Sequence, residues 1–359
     1  MDFRPPVKHG TMKRRKRRAP ASGRRFPSSG LVAQNDLMQP GNDWNAVVAH
    51  DIEYAKEIMI ADKTSALERR LEIPGRVSFM DGSGELPMLE IKTEWSTAEI
   101  YLHGAHVTRF QKRDEPPLLF LSQVSRFDKE HPIRGGIPVI FPWFGARAGK
   151  PAHGFARTTA WELKEITSSA NGSISLRLRL PDGPAAAGFP PFTADYIVTV
   201  SETLELQLLI ANASPDKEFT FEECLHTYFT VGDIGAASIV GLKGVGYEDK
   251  VENFAKKVET NEAINIPSEV DRVYFDTTGP VEIQDRSLQR KIRVEKEGSA
   301  STVVWNPWIA KAQQMSDFGN EEYQKMVCVE SGNVGKNKVT LPPGKSSALT
   351  VKLSSAPFK

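Results

Sequence analysis

Residues 173–180 read SISLRLRL. Ile174, Leu176, Leu178 and Leu180 fall on one side of an extended chain, Arg177 and Arg179 on the other, and a period of two is the mark of a half-buried strand. The pattern recurs in TLELQLLI at 203–210, where Leu204, Leu206, Leu208 and Ile210 share a face. Shorter runs follow the same rule: AEIYL, PLLFL, DYIVTV, EFTFEE, VEIQD, KIRVEK, STVVW, MVCVE and LTVKL. Many short period-two runs separated by Gly, Pro, Asn and Asp imply an all-β fold, a sandwich or barrel of antiparallel sheets. No linker-like stretch interrupts 75–359, so one large sandwich is expected over 74–359.

The residues before Pro74 differ. From 45 to 71 apolar residues recur at three- and four-residue spacing, which predicts a short helical lead-in within 41–73. Residues 1–36 carry ten Lys/Arg against Asp2 and Asp36, a balance of +8, and the remaining 36 basic and 43 acidic residues leave −7. That arm has little with which to build a core, and 1–40 is expected to be disordered. It reads as a nucleic-acid or nuclear-address segment, as a transit peptide, or as an extension ahead of Met38. The silent extension is favoured, so no nucleic-acid partner is expected. No apolar run is long enough to span a bilayer, and no membrane partner is expected. Two cysteines, Cys224 and Cys328, make no disulfide framework; they point to a reducing compartment and a cytoplasmic location.

Four segments stand out chemically. IRGGIPVIFPWFG at 133–145 has paired glycines after Arg134 and a rigid aromatic run; it is a ligand loop or a tight turn with core aromatics. PAHGFARTTAWEL at 151–163 offers His153 and Arg157, the latter a planar fork suited to phosphate or carboxylate. FEECLHTYF at 221–229 carries His226, by its ordinary pKa a ready general acid, or else a satisfied core histidine. MVCVESGNV at 326–334 ends a strand-like run on Glu330 before a Ser-Gly-Asn turn; it is a base, or a carboxylate capping a strand at the rim. If 224–226 and 328–330 are strand, Cys224 shares a face with His226 and Cys328 with Glu330, so both thiols lie near any site there. There is no P-loop, HExxH or GxSxG, GLKGVG at 241–246 lacks the dinucleotide spacing, and the two histidines of HGAH at 103–106 face opposite sides of a strand, so no metal site is expected.

Taken together and in this order, RGGIPVIFPWFG, HGFARTTAWEL, LHTYF, VVWNPW and MVCVESGNV resemble the aldose 1-epimerase superfamily, most closely its hexose-6-phosphate mutarotase branch, over roughly residues 75–359. The resemblance implies a galactose-mutarotase-like supersandwich. It implies that His226 is the general acid and Glu330 the general base. Arg134, Arg157 and, in the same motif, His153 would bind substrate, and Asp271 of SEVDRVYF would hold the sugar. One departure is Ala152, where family members can carry a binding Gln.

The implied reaction interconverts α and β anomers of a hexose 6-phosphate, glucose 6-phosphate first. A base takes the C1 hydroxyl proton while an acid protonates the ring oxygen; rotation and reclosure give the other anomer. Glu330 as carboxylate and His226 as imidazolium are the expected start states. No electron moves and no cofactor is expected. Trp143, Trp305 or Trp308 would pack on the sugar's apolar face, with core packing an equal alternative for any one of them, and the protein is expected to be a monomer. Rival readings are a plain aldose mutarotase, a glycosidase pairing Glu330 with Asp271 or Glu223, and a sugar-binding module without catalysis.

Overall fold

The computed structural model describes residues 71–358. The arm expected over 1–40 and the lead-in expected over 41–73 lie outside these residues, save for 71–73, where Ile73 bridges to Val77.

Among the described residues the regular structure is almost entirely strand, with one short α-helix, Trp308–Ala312, and a few 3-10 turns. A nine-stranded sheet runs in the order Ala263–Asn265, Ala237–Val240, Val281–Asp285, Arg290–Glu297, Ser346–Pro357, Leu204–Asn212, Phe192–Val200, Ile174–Arg179, Glu162–Ser168. An eight-stranded sheet runs Ala255–Val258, Gly246–Asp249, Val270–Phe275, Ser301–Asn306, Met326–Asn333, Glu223–Leu225, Val139–Ile140, with Tyr228–Thr230 also paired to Met326–Asn333. A four-stranded meander (Val77–Asp81, Pro87–Lys92, Ser96–Tyr101, His106–Lys112) and the pair Phe219–Phe221 with Val339–Leu341 complete it. Of the expected strands, PLLFL is the exception: Leu119 and Leu121 make only isolated bridges, to Phe229 and Gly135.

The alternating runs behave as their pattern dictates. Leu176, Leu178, Leu206, Leu208 and Val351 of the larger sheet join Val304, Val327, Val329 and Tyr274 of the smaller one in a single buried cluster. Each such side chain contributes about 1.5–3 kcal/mol on burial.

Met326–Asn333 is buried at every residue, because it is covered on both faces. Val327 and Val329 point into the inter-sheet core; Cys328 and Glu330 point the other way. The Ser-Gly-Asn turn expected after Glu330 is therefore absent. The strand runs through to Asn333, and Gly332 serves clearance: a Cβ there would sit 2.5 Å from Glu223 O and 2.8 Å from Cys224 Sγ. The rim reading of Glu330 fails for the same reason, since the residue is only 1% exposed.

Candidate active site

The strand Glu223–Leu225 pairs Leu225 with Ser331, and Tyr228–Thr230 pairs Tyr228 with Cys328. Continuing that register places His226 directly across from Glu330. The segment 224–226 is not all strand: pairing lapses at His226, whose backbone N–H donates to Pro138 O at 3.0 Å. The lapse leaves the ring facing the carboxylate, with His226 Nε2 3.3 Å from Glu330 Oε1. The other carboxylate oxygen, Oε2, accepts from the Cys224 thiol at 3.5 Å. Cys328 Sγ lies in the same cluster: one donor atom from each of His226, Cys328 and Glu330 all lie within 4.8 Å of one another.

A row of paired residues crosses four strands beside this point: Tyr228, Cys328, Trp305 and Asp271. Paired residues share a face, so Trp305 and Asp271 are on the side of Glu330. Tyr228 stacks on His226 at 4.8 Å and 12°, and Trp305 meets the His226 ring edge-on at 6.1 Å. Trp143 instead packs with Phe155 and Phe189, its indole N–H donating to Pro151 O, and Trp308 packs on Tyr323. Of the three candidate tryptophans, Trp305 is the one beside the acid–base pair.

His153 has a left-handed backbone, φ 64°. Its Nδ1 accepts from the Gly145 N–H at 3.3 Å, which leaves Nε2 to carry the proton. Its ring lies 4.8 Å from Phe144 and 5.7 Å from His226. Burial, then the charges of Arg157, Lys250 and Arg134, pull its pKa down to about 3, so it is neutral.

The two arginines differ. Arg134 makes three side-chain contacts: Nε and Nη2 donate to Asp317 Oδ2 at 3.2 and 3.1 Å, and Nη1 to Tyr228 Oη at 2.9 Å. Its loop is fixed by Gly136, at φ 59°, where a Cβ would sit 2.3 Å from Val107 O. Arg157 has only Nη2 bonded, to Ala152 O at 2.8 Å, and its Nε is buried without a partner. Burial and the like charge of Arg134 pull it down to about 10. At position 152 the chain offers a backbone carbonyl that steadies Arg157.

Asp271 is half-buried and ion-paired with Lys250 at 3.3 Å. Lys250 also lies over the Phe144 ring, 4.6 Å from its centroid. Sequence reasoning missed Lys250, which sits in a charged YEDK stretch that reads as solvated surface. It missed Asp317 for the same reason. Glu223 leaves the site: it pairs with Asn333 on the core face and accepts from Asn333 Nδ2 at 3.0 Å, so the proposed Glu330–Glu223 carboxylate pair does not exist. His103 and His106 bind separate carbonyls, His131 O at 2.9 Å and Gly135 O at 2.7 Å.

Electrostatics alter the expected start states. Burial pushes Glu330 up to about 8, and burial, followed by the neighbouring His153, Arg157 and Arg134, holds His226 well below its ordinary value. Burial thus favours a protonated Glu330 beside a neutral His226 over the ion pair. The two forms hold the same single proton and differ by its transfer across 3.3 Å.

The aldose 1-epimerase family profile matches residues 87–354. The chain belongs to the aldose 1-epimerase family. A Cenchrus ciliaris protein named "Putative glucose-6-phosphate 1-epimerase" is 35% identical over 273 residues, 72% of this chain and 82% of its own. An Escherichia coli K12 protein of the same name is 35% identical over 261 residues, 71% and 86% of the two chains. Among solved structures, a Salmonella typhimurium protein described as a "putative mutarotase (YeaD)" superposes with a TM-score of 0.73 at 30% identity, covering 80% of this chain and 95% of that one. A galactose mutarotase-like protein from Clostridium acetobutylicum, TM-score 0.61 at 14% identity over 78% and 98% of the two chains, shares the fold. The all-β galactose-mutarotase-like sandwich is thus that of an aldose epimerase. Among the described residues no helix is long and apolar enough to cross a membrane.

Proposed function

We propose that this epimerase interconverts the anomers of a hexose 6-phosphate, glucose 6-phosphate above others, as a glucose-6-phosphate 1-epimerase of the cytoplasm. The observation that carries the reading is the buried His226–Glu330 contact beside an arginine with unspent donors.

In ring opening Glu330 takes the proton of the C1 hydroxyl and His226 gives one to the ring oxygen. The pair passes from carboxylate and imidazolium to acid and imidazole. Reclosure after rotation about C1–C2 reverses both transfers. The neutral form favoured by burial is therefore the one matched to the open-chain aldehyde, and the ion pair the one matched to the closed ring. Each transfer supplies about 10²–10⁴-fold. Tyr228 and Trp305 hold the imidazole in plane, and neutral His153 offers Nε2–H to a sugar oxygen. Asp271 accepts from hydroxyls. Arg157 takes the phosphate: a half-buried guanidinium with one carbonyl partner and an unpartnered Nε gains most from a dianion. Arg134, already matched to Asp317, shapes the wall.

The relatives' names support the phosphosugar, and so does Arg157; a neutral hexose leaves that charge unanswered. The test is anomer exchange followed by NMR for glucose and glucose 6-phosphate, with glycosides as a third substrate. A higher kcat/KM for the phosphosugar and no glycoside cleavage are expected. Equal rates on both sugars would reduce the reading to a plain aldose mutarotase.

A further inference from the structure

Cys328 has no part in these proton transfers, yet its sulfur lies within 4.8 Å of a donor atom of each reacting group. It is fully buried, on the face of Glu330, paired across the sheet with Tyr228 and Trp305. We propose that His226, Cys328 and Glu330 form an inhibitory site for a thiophilic divalent cation of the zinc type, which competes with the sugar for the acid–base pair.

The donor set is one imidazole nitrogen, one sulfur and one carboxylate oxygen, all within 4.8 Å of one another, with the nitrogen–oxygen separation already 3.3 Å. Around tetrahedral zinc, bond lengths of about 2.0–2.3 Å put donors about 3.3–3.6 Å apart, so small side-chain adjustments close the set. Three protein donors leave a fourth position for water. The class of cation follows from the donors: thiolate and imidazole select zinc-like ions over magnesium or calcium. Charge points the same way. A dication with one thiolate, one carboxylate and a neutral imidazole is neutral overall, which suits a buried cluster flanked by Tyr228 and Trp305. Binding releases the thiol proton and the proton shared by His226 and Glu330, and no electrons move.

The surroundings argue for a reversible site, not a resident cofactor. A histidine that holds a structural zinc has its second nitrogen fixed by a partner, whereas His226 Nδ1 is buried with none. Of the nearby cations, Arg134 is matched by Asp317 and Lys250 by Asp271. Arg157 is left to oppose a dication and also to attract the phosphosugar that displaces it.

Inhibition rests on the reading of His226 and Glu330 as acid and base; metal binding rests on geometry alone, and the experiment reads them apart. The full chain is titrated with cobalt(II) as a spectroscopic substitute for zinc. A thiolate-to-cobalt charge-transfer band is expected to saturate at one equivalent, to vanish in C328A and to persist in C224A. In parallel, zinc chloride is expected to stop anomer exchange, with recovery on adding EDTA and protection by glucose 6-phosphate. C328A should weaken the inhibition by more than about 100-fold, beyond what loss of an outer-shell partner costs. Should C328A fail to fold, C328S has nearly the same volume, is a far poorer zinc ligand, and carries the same test. Absence of the band, its survival in C328A, or its loss in C224A would overturn the site. A band without inhibition would overturn the inhibitory role and count against the acid–base assignment, leaving the binding site in place.

Discussion

Both oxygens of Glu330 are engaged, one by the His226 imidazole and one by the Cys224 thiol, so the carboxylate has one orientation available when sugar arrives. Glu330→Gln should keep the fold and cut exchange by several orders of magnitude, as should His226→Asn. Because the two act as a unit, the double variant should lose little beyond the worse single one; near-normal NMR exchange in either single variant would remove it from the reaction. The arginines should separate. Arg157→Ala removes a charge-assisted contact made to phosphate alone, and should cost roughly ten- to a hundredfold in kcat/KM for glucose 6-phosphate, about 1.5–3 kcal/mol, with little change for glucose. Arg134→Ala strips Asp317 and Tyr228 of their partner. It should lower Tm, by about 1–3 kcal/mol of stability, and slow both sugars alike. If the two variants behave identically, the division of labour drawn from their hydrogen bonds is wrong. His226, Glu330 and the two arginines stood out in the sequence because their motifs are unusual there. That Arg134 is already answered by Asp317 was not legible, because the partners lie 183 residues apart in a stretch with no periodicity.

At the scale of elements, one strand carries the argument. Met326–Asn333 divides by parity into a core face of Val327 and Val329 and a site face of Cys328 and Glu330, and the alternation that revealed the outer strands also sorted these two sets correctly. Where the strand ended was not legible, since Ser-Gly-Asn reads as a turn. Only the pairing of Gly332 with Cys224 shows that a side chain is excluded there by a neighbour. The partner strand Glu223–Leu225 divides the same way and leaves Glu223 on the core side, fully buried, with Oε2 unpartnered. Burial raises its pKa from 4.5 to about 7. Between those values the folded state binds more protons than the unfolded. This contribution is therefore fully present below the unfolded value, is lost as pH rises through the folded one, and becomes a constant penalty above it. Glu223→Gln removes the charge while keeping the acceptor for Asn333. It should raise Tm near pH 8.5, by an amount on the order of 3 kcal/mol, and have little effect near pH 5, as read by calorimetry at the two pH values. An equal effect at both would mean that Glu223 titrates normally.

Across the whole molecule, strand periodicity was enough to specify an antiparallel all-β sandwich, because each strand buries one face against another and the alternation is the record of that burial. The order of strands was not legible: Val270–Phe275, Ser301–Asn306 and Met326–Asn333 come together with Glu223–Leu225 through pairings that no local pattern encodes. Charge gives a second, independent division. The first 36 residues hold +8 and the remaining chain −7, and every residue assigned to the site lies at or beyond Arg134. We therefore expect a chain beginning at Met38 to melt at the same temperature and to exchange glucose 6-phosphate at the same rate as the full chain. Calorimetry and NMR on the two proteins check this side by side. The comparison is best made at two ionic strengths, because removing the arm makes the protein net acidic, and repulsion of a dianionic substrate grows as screening falls. A rate difference seen only at low salt would be that long-range effect. A loss of folding or of activity at physiological salt would instead make the arm part of the domain. Salt-sensitive DNA binding by the full chain and not by the shortened one would give the arm a function of its own.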